Sequence, residues 1–138
     1  PFDGAVLDRE GFLYDTDPAA RAVVRVRRHD GEKAVSFLRR LHHAFYAENQ
    51  NVTDPQVLAT LAAEFGVERE AFLADFDTDD LKHETWNDYA TAQRAGVTGF
   101  PTLVGGPNEE GAYGVVNRGF QPGDQVLGVL HQWLGTDA

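Results

Sequence analysis

Val97-Thr98-Gly99-Phe100-Pro101-Thr102-Leu103-Val104 closes a long helical pattern and opens a β-prone one. A proline at the first position of a strand removes a ladder donor and fixes φ. It suits that place when the bond before it is cis and the loop has a task. Gly105-Gly106-Pro107-Asn108 then supplies turn chemistry, and Tyr113 to Asn117 reads as a second strand. Gly119 and Pro122-Gly123 mark another break. Val126, Leu127, Leu130, Trp133 and Leu134 recur as the apolar side of a last helix. The order is therefore Gly-X-Pro-Thr, strand, strand, helix.

Upstream the period is helical. Thr16-Asp17-Pro18 and Thr53-Asp54-Pro55 are two start signals, each with a capping side chain and a proline at the first helical position. The first helix places Ala19, Ala20, Val23 and Val24 on one face, turns Arg25, Arg27 and Arg28 to water, and stops at Asp30-Gly31. The second runs from Glu32 to Ala47 with Val35, Phe37, Leu38, Leu41, Ala44 and Phe45 inside, and Asn49-Gln50-Asn51 ends it. The third buries Val57, Leu58, Leu61, Ala62 and Phe65, with Gly66 as its C-terminal cap. A short helix with Ala71, Phe72 and Phe76 inside follows. A longer one, with Leu81, Trp86, Tyr89 and Ala90 on its apolar side, reaches Ala95 and is capped by Gly96. Residues 1–15 read as a loop or short turn packed by its aromatics. Two blocks result: helical residues 1–95, and a β-β-α half over residues 96–138.

Two strands and one helix make a poor independent sheet, because a lone hairpin is marginal in water. The expected complement is a missing N-terminal segment or another chain, a homodimer included. The absence of methionine and the opening Pro1-Phe2-Asp3-Gly4 add to the expectation of a fragment.

The 138 residues carry 12 Lys and Arg against 22 Asp and Glu, a net charge of −10. Nearly all the excess acid lies from Asp54 onward. This balance argues against nucleic acid as a partner. No apolar run is long enough for a membrane span. A cytoplasmic location is the expectation. Arg21, Arg25, Arg27, Arg28, Arg39 and Arg40 read as a solvated face balanced by nearby acids rather than a basic groove.

Several other patterns carry no chemistry. Asp75 to Asp80 opens like a calcium loop, but its sixth position is Asp80 and its twelfth Trp86. Electrostatic capping by Asp79 and Asp80 fits better. His29, His42, His43, His83 and His131 lack metal-ligand spacing, so no metal is expected. Asn51-Val52-Thr53 is a formal glycosylation sequon in which Thr53 is read as a cap. The site expected to matter is the loop Gly99, Phe100, Pro101 and Thr102. A cis proline there leaves the main-chain N–H and C=O of Phe100 facing outward, ready to pair with an extended peptide.

Val97 to Val104, the hairpin and Arg118-Gly119-Phe120 resemble the C-terminal part of the DsbA-like thioredoxin-fold oxidoreductases. Leu41-His42-His43-Ala44-Phe45-Tyr46, Val52 to Leu58 and the Gly66 break resemble that family's helical insertion, most closely in its protein-disulfide isomerase-like bacterial branch. The resemblance implies an α/β thioredoxin-like fold, incomplete in this chain. It also implies a Cys-X-X-Cys pair upstream, with Pro101 beside it and Phe100 touching substrate. The implied partners are protein or peptide thiols and disulfides. This chain contains no cysteine, so it cannot perform thiol–disulfide exchange alone, because the attacking species is a thiolate.

Two other readings stand beside this one. The glutathione-dependent kappa-class transferases and 2-hydroxychromene-2-carboxylate isomerases resemble the same architecture. They use serine in place of the first cysteine, and glutathione would then be the ligand of the proline loop; otherwise no cofactor is expected. A non-catalytic helical binding module, docking through its open strand edge, is the third.

Overall fold

The computed structural model describes residues 2–135, so Pro1 and residues 136–138 of the two expected blocks lie outside it. Six helices and one hairpin follow in order: α1 Asp17–His29, α2 Ala34–Glu48, α3 Pro55–Ala63, α4 Arg69–Phe76, α5 Asp79–Arg94, β1 Thr102–Gly105, β2 Gly114–Arg118 and α6 Gly123–Leu134. Single 3-10 helical turns cover Ala5–Asp8 and Gly31–Lys33. The chain divides into two compact units, Pro1–Tyr89 and Ala90–Ala138.

The first unit is built on α1. Ala22, Val24 and Val26 are all buried, and three such residues two apart lie around a helix rather than along one stripe. The expected face of Ala19, Ala20, Val23 and Val24 is thus too narrow, since α1 is enclosed by α2, α3 and α4. Phe37, Leu41 and Ala44 of α2, Leu58, Leu61 and Ala62 of α3, and Phe72 and Phe76 of α4 complete the core. Phe72 and Phe76 stack at 5.3 Å, and Phe37 meets Phe65 edge-on at the same distance.

Helix ends follow local chemistry, with some changes of actor. Asp15 Oδ1 accepts from the N–H of Asp17, so neither Thr16 nor Asp17 caps α1. Asp54 Oδ1 accepts from Gln56 N–H at 2.8 Å and caps α3. Thr53 is not the cap; its hydroxyl donates to Asn51 Oδ1. Asp30 accepts from Glu32 N–H, and α2 proper begins only at Ala34, after a 3-10 turn where Glu32 was expected to start it. Glu68 caps α4 through the N–H groups of Glu70 and Ala71, which holds its carboxyl below the usual range. Asn49 ends α2 with φ of 53°, and its side chain accepts from Val6 N–H, tying the leading segment down.

Several expected core residues of this unit lie elsewhere, Tyr89 among them. Val35 is 78% exposed, Leu38 is exposed beside it, and Ala71 faces solvent on α4. Trp86 is 60% exposed, because α5 presents Leu81, Thr85 and its acids to the rest of the unit instead. The arginines of α1 explain that choice. Arg27 reaches Asp88 and Glu84, Arg28 reaches Asp80 and Glu84, and Arg21 reaches Asp17 and Asp77. Arg25 Nε lies 2.8 Å from Asp75. Arg21 also sits 5.0 Å above the Phe76 ring. Arg21 and Arg25 are largely covered, Arg27 and Arg28 remain partly solvated, and the acids expected to balance them join α1 to α4 and α5, so no basic groove forms.

The second unit contains the hairpin and α6. β1 and β2 pair antiparallel, Thr102 with Arg118, Leu103 with Asn117, Val104 with Val115 and Gly105 with Gly114. The register skips Val116, and that bulged residue is the one that turns in and is buried. β1 starts just after the proline, at Thr102, and β2 starts later than expected, at Gly114 rather than Tyr113. Trp133 of α6 lies over the paired glycines. A Cβ at Gly105 would stand 2.9 Å from Trp133 Nε1, and one at Gly114 would stand 2.6 Å from Trp133 Cζ3. Only glycine permits that approach.

Candidate functional site

Gly96, at φ of 76°, ends α5 and releases the chain into the proline loop. The Phe100–Pro101 bond is cis. Thr102 Oγ1 donates to Gly99 O at 2.8 Å, which closes the loop across the proline. Gly119 N–H donates to Pro101 O at 2.8 Å. Asn117 Nδ2 donates to Gly119 O at 2.9 Å and reaches Pro101 O at 3.4 Å. The loop is therefore tied to the far end of β2 by two bonds, both accepted by Pro101 O, and Asn117 braces Gly119 in place. Neither the N–H nor the C=O of Phe100 takes a hydrogen bond among the described residues. Its ring is 87% exposed, and Phe120, just past the Gly119 bond, is 83% exposed.

This arrangement offers an extended ligand one main-chain donor, one acceptor and two aromatic surfaces on a pinned turn. It contains no nucleophile and no titrating group. The four residues singled out from sequence come together as one loop. Asn117 and Gly119 were missed as loop supports. Asn117 read only as a strand end, and its signal was a polar residue beside Arg118-Gly119. A second cis bond, Gly106–Pro107, was also missed. There Gly106 has φ of 134°, and a Cβ would stand 2.9 Å from Ala112 O, so the hairpin tip requires glycine.

Among the described residues no three His, Asp or Glu side chains gather as a metal site. His43 pairs with Glu48 at 2.8 Å. Asp79 and Asp80 sit in the first turn of α5, where its dipole favours them. No helix is long and apolar enough to cross a membrane among the described residues.

A family model described as the DSBA-like thioredoxin domain matches residues 5–126, which include the proline loop and its supports. A candidate protein disulfide isomerase from Nitrosomonas europaea is 30% identical, with a TM-score of 0.86 over 98% of this chain. The cytosolic disulfide reductase DsbM from Pseudomonas aeruginosa is 26% identical, with a TM-score of 0.75 over 99% of this chain and 69% of its own. The same reductase with GSH gives 25% identity and a TM-score of 0.70, over 97% of this chain and 68% of that one. No curated protein sequence matches. The chain spans 65% of the length of the Nitrosomonas protein. By the matched model and these likenesses, the chain belongs to the DSBA-like thioredoxin domain family and has that family's α/β fold, with helices dominant, a two-stranded antiparallel sheet and a C-terminal helix.

Proposed function

We propose that this chain supplies the substrate-holding part of a thiol–disulfide oxidoreductase or isomerase. Gly99, Phe100, Pro101 and Thr102 hold an extended protein or peptide substrate. The observation that carries this reading is the unpaired main chain of Phe100 on a loop pinned by Asn117 and Gly119. An added strand pairs with such groups, and a bare aromatic ring adds contact area. The attacking thiolate comes from sequence outside these 138 residues, since none is cysteine. That same sequence, or a second chain, completes the sheet beside β1.

Reduction of insulin disulfides by the protein carrying its upstream sequence tests the activity. Turnover is expected there and none from this chain alone. Phe100→Ala should raise KM for a peptide disulfide while kcat changes little, because the ring binds and does not react. An unchanged KM would remove the loop from the substrate site.

Glutathione is the second ligand reading, favoured by the GSH-bound DsbM among the similar structures. A cytoplasmic location agrees with the description of that reductase as cytosolic. Competition of reduced glutathione with the peptide substrate separates one shared site from two.

A further inference from the structure

A cavity of about 210 Å³ lies in the second unit, between the end of β2, the turn after it and the first half of α6. Val116, Val126 and Val129 give it an apolar side. Arg118, Gln121 and Gln125, all exposed, give it a polar one. Asn117 lines it too, and Asn117 also reaches Pro101 O, so cavity and proline loop share one stretch of β2. Arg118 stands between Asn117 and Gly119, the two supports of the loop, and pairs in register with Thr102. Phe100 is two residues before Thr102, which is no more than about 7 Å along the strand direction.

The charge of the lining points to a ligand class. Arg118 is its one ionisable group. The α1 arginines that reach α4 and α5 are each held by an acid. The Arg118 guanidinium takes no ion pair among the described residues. Asp124, in the first turn of α6, neither lines the cavity nor pairs with it. The side chains of Gln121 and Gln125 add amide donors, also without partners among the described residues.

A strand added at an edge draws its affinity from main-chain bonds and its specificity from pockets for alternate side chains. Phe100 offers the main-chain groups. The cavity lies one alternate side chain further on, since such side chains recur about every 7 Å. A glutamate matches it. Its methylenes meet the valines, and its carboxylate accepts from the guanidinium fork and the amides beside it. We propose that this cavity selects an acidic side chain of the peptide held by the proline loop, with Arg118 setting the preference. The inference rests on the substrate-holding reading of that loop.

The test is peptide binding by the protein carrying its upstream sequence, read as Kd by calorimetry. The probe is an extended peptide with an S-methylated cysteine, which cannot exchange, varied by Glu or Gln at each other position in turn. At one position Glu should bind about three- to fivefold tighter than Gln, the scale of one partly solvated ion pair, and at the others no tighter. Rising salt should shrink that preference. Arg118→Gln should erase it, and Arg118→Lys should keep part of it, because lysine offers a point charge in place of the fork.

The absence of a preferred position, or a preference that survives Arg118→Gln, overturns the proposal. Phe100→Ala separates this failure from that of the loop reading. It should weaken the Glu and Gln peptides by the same factor. Equal weakening with no Glu preference leaves the loop reading standing and removes the acid-selecting cavity. If Phe100→Ala weakens neither peptide, the loop reading fails and this proposal falls with it.

Discussion

Gly114→Ala tests whether α6 is held by the close approach of Trp133 to the strand pair. The added methyl would stand 2.6 Å from Trp133 Cζ3 and 2.8 Å from Cε3. Favourable carbon contacts lie near 3.5–4.0 Å, so the ring must retreat by about 1 Å. It cannot tilt freely, because the partner glycine, Gly105, lies under its Nε1 edge, where even a Cβ would stand only 2.9 Å away. Overpacking of this kind costs about 1–3 kcal/mol. Replacing glycine by alanine returns about 0.4–1 kcal/mol through the unfolded chain, because φ at Gly114 is not in the left-handed region. The net expectation is a loss of about 1–2 kcal/mol.

The assay is urea unfolding followed through the amide NMR signals of β2 and α6, a readout that survives loss of the indole. The decisive step is a double-mutant cycle with Trp133→Leu. With the indole gone, Gly114→Ala should become neutral or slightly stabilising. An equal loss with and without the indole would refute the reasoning and place the cost in the backbone of β2.

Phe72→Ala should lower stability by about 3–5 kcal/mol, read as a shifted urea midpoint by circular dichroism, since Phe72 is fully buried and stacked on Phe76. Asp54→Ala should cost about 1 kcal/mol by the same measurement, through loss of the bond from Gln56 N–H. Glu84 gives a pH-dependent test. Burial pushes its carboxyl up, but hydrogen bonds from Arg28 and Arg27 outweigh this and hold it below the usual range. A lowered native pKa contributes stability that is present above the unfolded value of about 4.3 and is lost as pH falls through the native one. Glu84→Gln should therefore lower the urea midpoint at pH 7 and flatten its decline below about pH 4.3. An equal decrement at pH 7 and pH 3 would count against the ion-pair origin.

Much of this was legible in the sequence, and the misses share a cause. The helices of residues 17–94 followed from apolar spacing and from Asp-Pro starts, because those signals act within one or two turns. The proline loop was legible because Gly-X-Pro-Thr departs so sharply from strand chemistry. Trp86 and Val35 were misassigned because periodicity reports an apolar stripe but not which stripe faces inward. On α5 the charged side won, since Glu84 and Asp88 found Arg27 and Arg28 on α1. Such pairing between residues more than fifty apart leaves no local trace. The same holds for Asn117, whose role depends on Pro101 sixteen residues earlier.

Burial is divided unequally between the two units, and this bears on the loop. Among the described residues the buried hydrophobics belong to the first unit, with Val116 alone in the second. Leu103, Val104 and Val115 each keep 40% or more of their surface exposed, and α6 has no buried residue. Full burial of such side chains contributes about 1.5–3 kcal/mol each, so covering what remains exposed would add about 1 kcal/mol per residue. A bare hairpin is marginal without such cover. The loop that presents Phe100 hangs from this hairpin by the bonds to Gly119 and Asn117. Its order therefore depends on whatever packs on the strands. Under the proposed function, a segment that brings a nucleophile while completing the sheet would firm the proline loop at the same moment, so binding surface and chemistry would be assembled by one packing event.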